Sequence, residues 1–140
     1  MPTDDGCPAI LFLCVHNAGR SQMAAGFART LGGDALVVHS AGSEPAEHVN
    51  QSAVDAMAEL GIDIAAATPQ RWTMDLLAQV DVVVTMGCGD SCPVYPGKRY
   101  LDWTLDDPRG LSVAAVRPIR DEIKKRVVNL LTELGVHLQD

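Results

Sequence analysis

Aromatic residues are scarce: two Trp, two Tyr and two Phe make up 4% of the 140 residues. Any core must therefore be built from Val, Leu, Ile and Ala. The hydrophobic fraction of 47% supplies enough of them and is far above that of a disordered chain. No apolar run approaches the roughly 18 residues that span a bilayer. Positive charge is in deficit, 11 Lys and Arg against 18 Asp and Glu, giving a net charge of −7 and a pI near 4.9. That balance argues against nucleic acid or an anionic membrane as partner. It leaves a small anionic substrate open, because such a site depends on local donors.

Residues 1–8 contain two acids, no base and no apolar stretch, so they do not form a signal peptide. They are expected to be a flexible tail ahead of a single domain, residues 9–140, in the cytoplasm. Cysteine is limited to Cys7, Cys14, Cys88 and Cys92. In a reducing compartment these suit catalysis, metal binding or no role better than structural disulfides.

Residues 9–15, A-I-L-F-L-C-V, form a near-continuous apolar run expected of a strand buried on both faces. After a polar, glycine-containing turn, Met23, Phe27 and Leu31 recur four apart, predicting a helix that ends at Gly32-Gly33. A second short strand is expected at 36–40, a helix at 51–60, a weaker helix at 69–79 and a third strand at 80–86. The irregular stretch 87–110 leaves room for a short strand near 98–103. The last helix falls within 113–135, where Val116, Ile119, Ile123, Val127, Leu130 and Leu134 recur three or four apart. Pro118 is expected in its first turn or at a kink. Alternating strands and helices predict an α/β domain with a parallel sheet. Cys14 and Cys88 follow the first and third strands, so both should open on the same edge.

The segment C-V-H-N-A-G-R-S spans a strand-to-helix junction, which points several backbone N–H groups and a helix N-terminus into one space. Val15, His16, Asn17, Ala18, Gly19, Arg20 and Ser21 are the candidate oxyanion-binding residues. Arg20 adds a planar fork suited to two oxygens of a tetrahedral anion. Asn17 and Gly19 suit the left-handed backbone of a tight nest. Cys14 at its mouth has its thiolate favoured by the same donors, with Ser21 able to donate to the sulfur. Read alone, Cys14 could equally be a small buried hydrophobe.

The run from Cys14 through Arg20 to Ala24 resembles the active-site loop of arsenate reductases built on the low-molecular-weight tyrosine phosphatase fold. The similarity continues at Ser40-Ala41-Gly42, Asn50, Thr85-Met86, Cys92-Pro93, Asp106-Asp107-Pro108 and Arg120-Asp121-Glu122-Ile123. The resemblance implies a three-layer fold, a four-stranded parallel sheet flanked by helices on both faces. It also implies Cys14 as nucleophile, Arg20 as anion clamp and Asp107, just before Pro108, as general acid. Arg109 and Gly110 follow that proline where the phosphatases carry aromatics, which favours a small inorganic anion such as arsenate, with phosphate and sulfate as look-alikes. Ala25 stands where many members have a glutamate at a potassium site, so no bound potassium is expected.

Cys88 and Cys92, in M-G-C-G-D-S-C-P, suit a thiol cascade from Cys14 to Cys88 and then to Cys92. In the best-known thioredoxin-coupled pattern the two later cysteines lie farther apart. The resemblance implies no bound cofactor or metal, an external reductant (thioredoxin, or mycothiol with mycoredoxin) and a monomer. Two other readings stay open: a phosphatase hydrolysing phosphate monoesters through a phosphocysteine, and a non-catalytic anion-binding or redox-sensing module.

Overall fold

A computed structural model describes residues 7–87 and 94–139. Its centre is the strand β1, Ala9–Cys14, in which all six side chains are buried. A strand with apolar residues on both faces can lie only inside a sheet covered on both sides. It is flanked by β2, Val37–Gly42, and β3, Val82–Thr85, and β4, Arg99–Asp102, completes the order β2-β1-β3-β4. Every pairing is parallel.

The two-residue period of the strands divides the core. Ile10, Phe12, Val82 and Val84 face the larger cluster, with the helices α1, Arg20–Gly32, α2, Gln51–Ala58, and α4, Val113–Glu133. Ala9, Leu11, Leu13 and Val83 face a smaller cluster with Leu77 of the short helix α3, Met74–Gln79. Phe12 is fully buried, its ring centroid 6.0 Å from that of Trp103. Truncating such a ring costs about 3–5 kcal/mol. The α4 positions Val116, Ile119, Ile123, Val127 and Leu130 are buried as their spacing predicts.

Sequence and structure part at several places. The helix expected at 69–79 is shortened to Met74–Gln79, because residues 70–72 are drawn against the end of β2. Gly42 N donates to Gln70 O at 2.8 Å and Trp72 N to Gly42 O at 3.2 Å. Thr73 then caps the helix, its side chain accepting from Leu76 N. Pro118 lies at the sixth position of α4, beyond the first turn, and the helix continues through it. Ser112 supplies the N-cap six residues upstream of that proline. Of the tail expected at 1–8, residues 1–6 lie outside the described residues, while Pro8 O accepts from Val37 N at 2.9 Å. No helix among the described residues is long and apolar enough to cross a membrane.

Candidate active site

Cys14 is the last residue of β1, whose neighbours β2 and β3 are reached by connections leaving in opposite directions. In an open parallel sheet this is the switch point at which ligands bind. The chain turns through 15–19 and enters α1 at Arg20. Asn17 takes a φ of 51°, a left-handed conformation that asparagine tolerates better than most residues. Gly42 brings the end of β2 beneath the turn: a Cβ there would stand 2.6 Å from Val15 O.

The carbonyls of the turn are directed away from its centre. Cys14 O, Val15 O, His16 O and Ala18 O accept from the N–H groups of Ser43, Glu44, Ala46 and Asn50, at 3.3, 2.8, 2.9 and 2.8 Å. Asn17 O accepts from Gln22 Nε2 at 3.0 Å. Among the described residues, the N–H groups of His16, Asn17, Ala18 and Gly19 donate to no protein acceptor. The N-terminus of α1 also has no side-chain cap. The result is a concave set of donors, reinforced by the helix dipole, that suits a tetrahedral anion.

A buried network lies under this nest. Asn17 Nδ2 donates to Ser21 Oγ at 2.7 Å, and Ser21 Oγ lies 2.9 Å from Cys14 Sγ. Because Ser21 already accepts from Asn17, its own hydrogen is free to point at the sulfur. Asn17 Oδ1 accepts from Gln70 N at 2.9 Å and from Gln22 Nε2 at 3.2 Å. Asn17 and Ser21 are fully buried and Cys14 is 2% exposed.

Arg20 is also buried. Its Nη1 donates to Leu105 O at 3.3 Å, and its Nη2 stands 3.7 Å from Asp107 Oδ2. The guanidinium is thus held between the first turn of α1 and the loop after β4, with the half-exposed Asp107 carboxylate beside it. His16 Nδ1 lies 3.0 Å from Glu44 O, which can only accept, so this nitrogen carries the hydrogen. Its Nε2 then accepts from Arg109 Nη1 at 3.1 Å. Cys14, His16, Ala18, Gly19, Arg20, Asp107 and Arg109 line one cleft of about 340 Å³.

A family model described as low molecular weight phosphotyrosine protein phosphatase matches residues 9–140. The chain belongs to that family. A curated arsenate reductase from Halalkalibacterium halodurans is 44% identical over 128 residues, covering 84% of this chain and 91% of its own. The solved structure of a thioredoxin-dependent arsenate reductase from Corynebacterium glutamicum superposes with a TM-score of 0.83 at 39% identity. The match covers 95% of this chain and 64% of that one, so this chain spans about two thirds of that protein. The structure of an arsenate reductase in a phosphate-binding state matches with a TM-score of 0.78 at 36% identity, over 90% of this chain and 98% of the other. The parallel four-stranded sheet with its flanking helices is the fold of these low-molecular-weight phosphatase relatives.

Not every candidate residue of this phosphatase-family chain faces the cleft. Cys14, His16, Ala18, Gly19 and Arg20 line it, whereas Asn17 and Ser21 support it from below and the Val15 side chain packs in the smaller core cluster. Asp107 joins the cleft from the loop after β4. Cys88 and Cys92 lie outside the described residues. Gly87, just before them, does reach the site: a Cβ on it would stand 2.5 Å from Arg20 Nη1. Glu44, Pro45, Ala46 and Asn50 complete the wall, and sequence reasoning gave none of them that place. The polar loop after β2 was the available signal. Gln70 carried no signal, since its place beside Asn17 is fixed only by the way residues 70–72 meet β2.

Proposed function

We propose that this protein reduces arsenate to arsenite, with Cys14 as nucleophile. The observation that carries the reading is a single cleft shared by Cys14, Arg20, Asp107 and a turn in which, among the described residues, the N–H groups of His16 to Gly19 donate to no protein acceptor. The arsenate reductases among its relatives support the choice of substrate. Three oxygens of the bound anion would face the nest and Arg20, stabilised as charge shifts in the transition state. The Cys14 thiolate attacks arsenic, a sulfur–arsenic bond forms, and an arsenic–oxygen bond breaks. Asp107 protonates the departing oxygen, which leaves as water.

A second thiol then attacks the Cys14 sulfur. A disulfide forms, the sulfur–arsenic bond breaks, and its electron pair stays on arsenic, so arsenic(V) leaves as arsenite. Cys88 is the attacking thiol and Cys92 the resolving one, leaving a Cys88–Cys92 disulfide for an external dithiol. Thioredoxin is the favoured reductant, as in the Corynebacterium glutamicum relative, with mycothiol and mycoredoxin as the other route.

The test supplies arsenate with thioredoxin, thioredoxin reductase and NADPH, and in parallel with mycothiol and mycoredoxin. Arsenate-dependent NADPH oxidation is expected. Rapid hydrolysis of p-nitrophenyl phosphate without turnover in either reducing system would make the protein a phosphatase instead. Mass spectrometry after arsenate exposure reads the cascade: a Cys88–Cys92 disulfide in the natural protein, and a Cys14–Cys88 disulfide in Cys92→Ser. Cys88 remaining reduced throughout would remove the cascade.

A further inference from the structure

We infer that Arg109 selects free tetrahedral oxyanions over their esters, and that His16 is the positioning residue that holds Arg109 in place for this. The inference rests on the oxyanion-binding reading of the cleft and goes beyond it by assigning the side of the site opposite the nucleophile.

Three observations lead there. First, Arg109 is fixed relative to the nest. Pro108, the residue before it, packs directly on the turn, since a Cβ on Gly19 would stand 2.6 Å from Pro108 Cγ. The Arg109 N–H donates to Asp107 Oδ1 at 3.0 Å. Second, its charge is uncommitted. Arg20, Arg99, Arg117, Arg120 and Arg126 each have a carboxylate within ion-pair distance, and among the described residues no carboxylate pairs with the Arg109 guanidinium. Its partner is instead the Nε2 of His16, whose Nδ1–H is engaged by Glu44 O. An uncharged acceptor orients a guanidinium without neutralising it. Third, Arg109 shares the cleft with Cys14 and Asp107.

In-line attack by Cys14 places the departing oxygen on the far side of the anion from the sulfur, toward Asp107. In a free oxyanion that oxygen is charged or carries only hydrogen, and a guanidinium can donate to it. In an ester the same oxygen carries carbon, which brings no charge and must displace water from the arginine. One cation thus rewards the free anion and penalises the ester, where an aromatic wall would do the reverse.

The test reads anion binding directly, through protection of Cys14 from iodoacetamide followed on the Cys14 peptide by mass spectrometry. Inorganic phosphate and phenyl phosphate are titrated against the natural protein, Arg109→Ala, His16→Ala and His16→Gln, with folding checked by melting temperature. Arg109→Ala should need about tenfold more phosphate for equal protection, the loss of one charge-assisted hydrogen bond, while phenyl phosphate protects as well as before or better. His16→Ala should shift the ratio the same way by a smaller factor. His16→Gln should restore it, because a carboxamide offers both a donor and an acceptor. Equal weakening of both ligands in Arg109→Ala, or no change in either, overturns the selection; a normal ratio in His16→Ala overturns the positioning role. Failure of both ligands to protect the natural protein overturns the inference together with the oxyanion site. Protection without arsenate turnover removes only the reductase reading, and the Arg109 comparison still decides.

Discussion

Ser21→Ala isolates one atom of the proposed nucleophile. The Ser21 hydroxyl accepts from Asn17 Nδ2 at 2.7 Å, so its hydrogen is directed to Cys14 Sγ 2.9 Å away. Both partners are buried, and water cannot easily replace the lost donor. A hydrogen bond to a charged group contributes about 1.5–3 kcal/mol, so the thiolate should lose stabilisation equivalent to about 10- to 150-fold in equilibrium. Asn17 Nδ2 is left without its acceptor, which should cost about 1–3 kcal/mol of fold stability. The assay is the iodoacetamide alkylation rate of Cys14 near neutral pH, read on its own peptide, with kcat/KM for arsenate measured in parallel. Both should fall by a similar factor, while a modest drop in Tm reports the Asn17 penalty. Alkylation of Ser21→Ala at the natural rate would refute the argument, because it would mean that the hydroxyl does not donate to the sulfur.

Other expectations follow from the same geometry. Asp107→Asn should lower kcat for arsenate by about 10²- to 10⁴-fold as the acid is removed; phosphate binding, measured calorimetrically, should hold or tighten because a carboxylate 3.7 Å from Arg20 is neutralised. Gly87→Ala must place a methyl 2.5 Å from Arg20 Nη1 at a φ of 84°. The left-handed backbone alone costs about 1–2 kcal/mol, and calorimetry should show weakened phosphate binding beyond the drop in Tm. Glu59 is bound by Arg117 and Arg120, and hydrogen bonds from Arg117 first and Arg120 second hold its carboxyl down at about 2. Its folded-state value is depressed, so its contribution to stability is full above the ordinary carboxylate range, near 4.3, and is lost as pH falls toward 2. The Tm difference between Glu59→Gln and the natural protein should therefore be constant above about pH 5 and shrink between about pH 4 and 2.

The sheet and the turn from Cys14 to Arg20 are legible in the chain because each rests on local chemistry. The β1 run is apolar at every position, which only a doubly covered strand accepts. The α4 stripe needs no tertiary knowledge, and neither does a cysteine six residues before an arginine at a strand-to-helix junction. What was not legible depends on contacts distant in sequence. Gln70 reads as part of a helix, yet the demand of Gly42 for backbone partners draws it to the sheet edge and places its N–H on Asn17. Pro118 reads as a first-turn residue or a kink, but Ser112 caps the helix six residues before it, which puts the proline beyond the first turn. Asp107 could be read as a turn residue from its neighbours. Only the loop after β4, returning to the carboxyl end of β1, brings its carboxylate beside Arg20.

The outward-turned carbonyls of the 14–20 turn have a consequence for substrate choice. Its donors are backbone N–H groups already fixed by the segment from Ser43 to Asn50, so the nest responds to tetrahedral shape and charge and is indifferent to the central atom. Phosphate should occupy it much as arsenate does and act as a standing competitor. Under the proposed cycle, discrimination between the two would be kinetic: whichever anion arrives, only a central atom that can accept an electron pair from its bond to sulfur would let the cycle run forward. Phosphate would dwell and depart, and the flux, rather than the occupancy, would define the substrate.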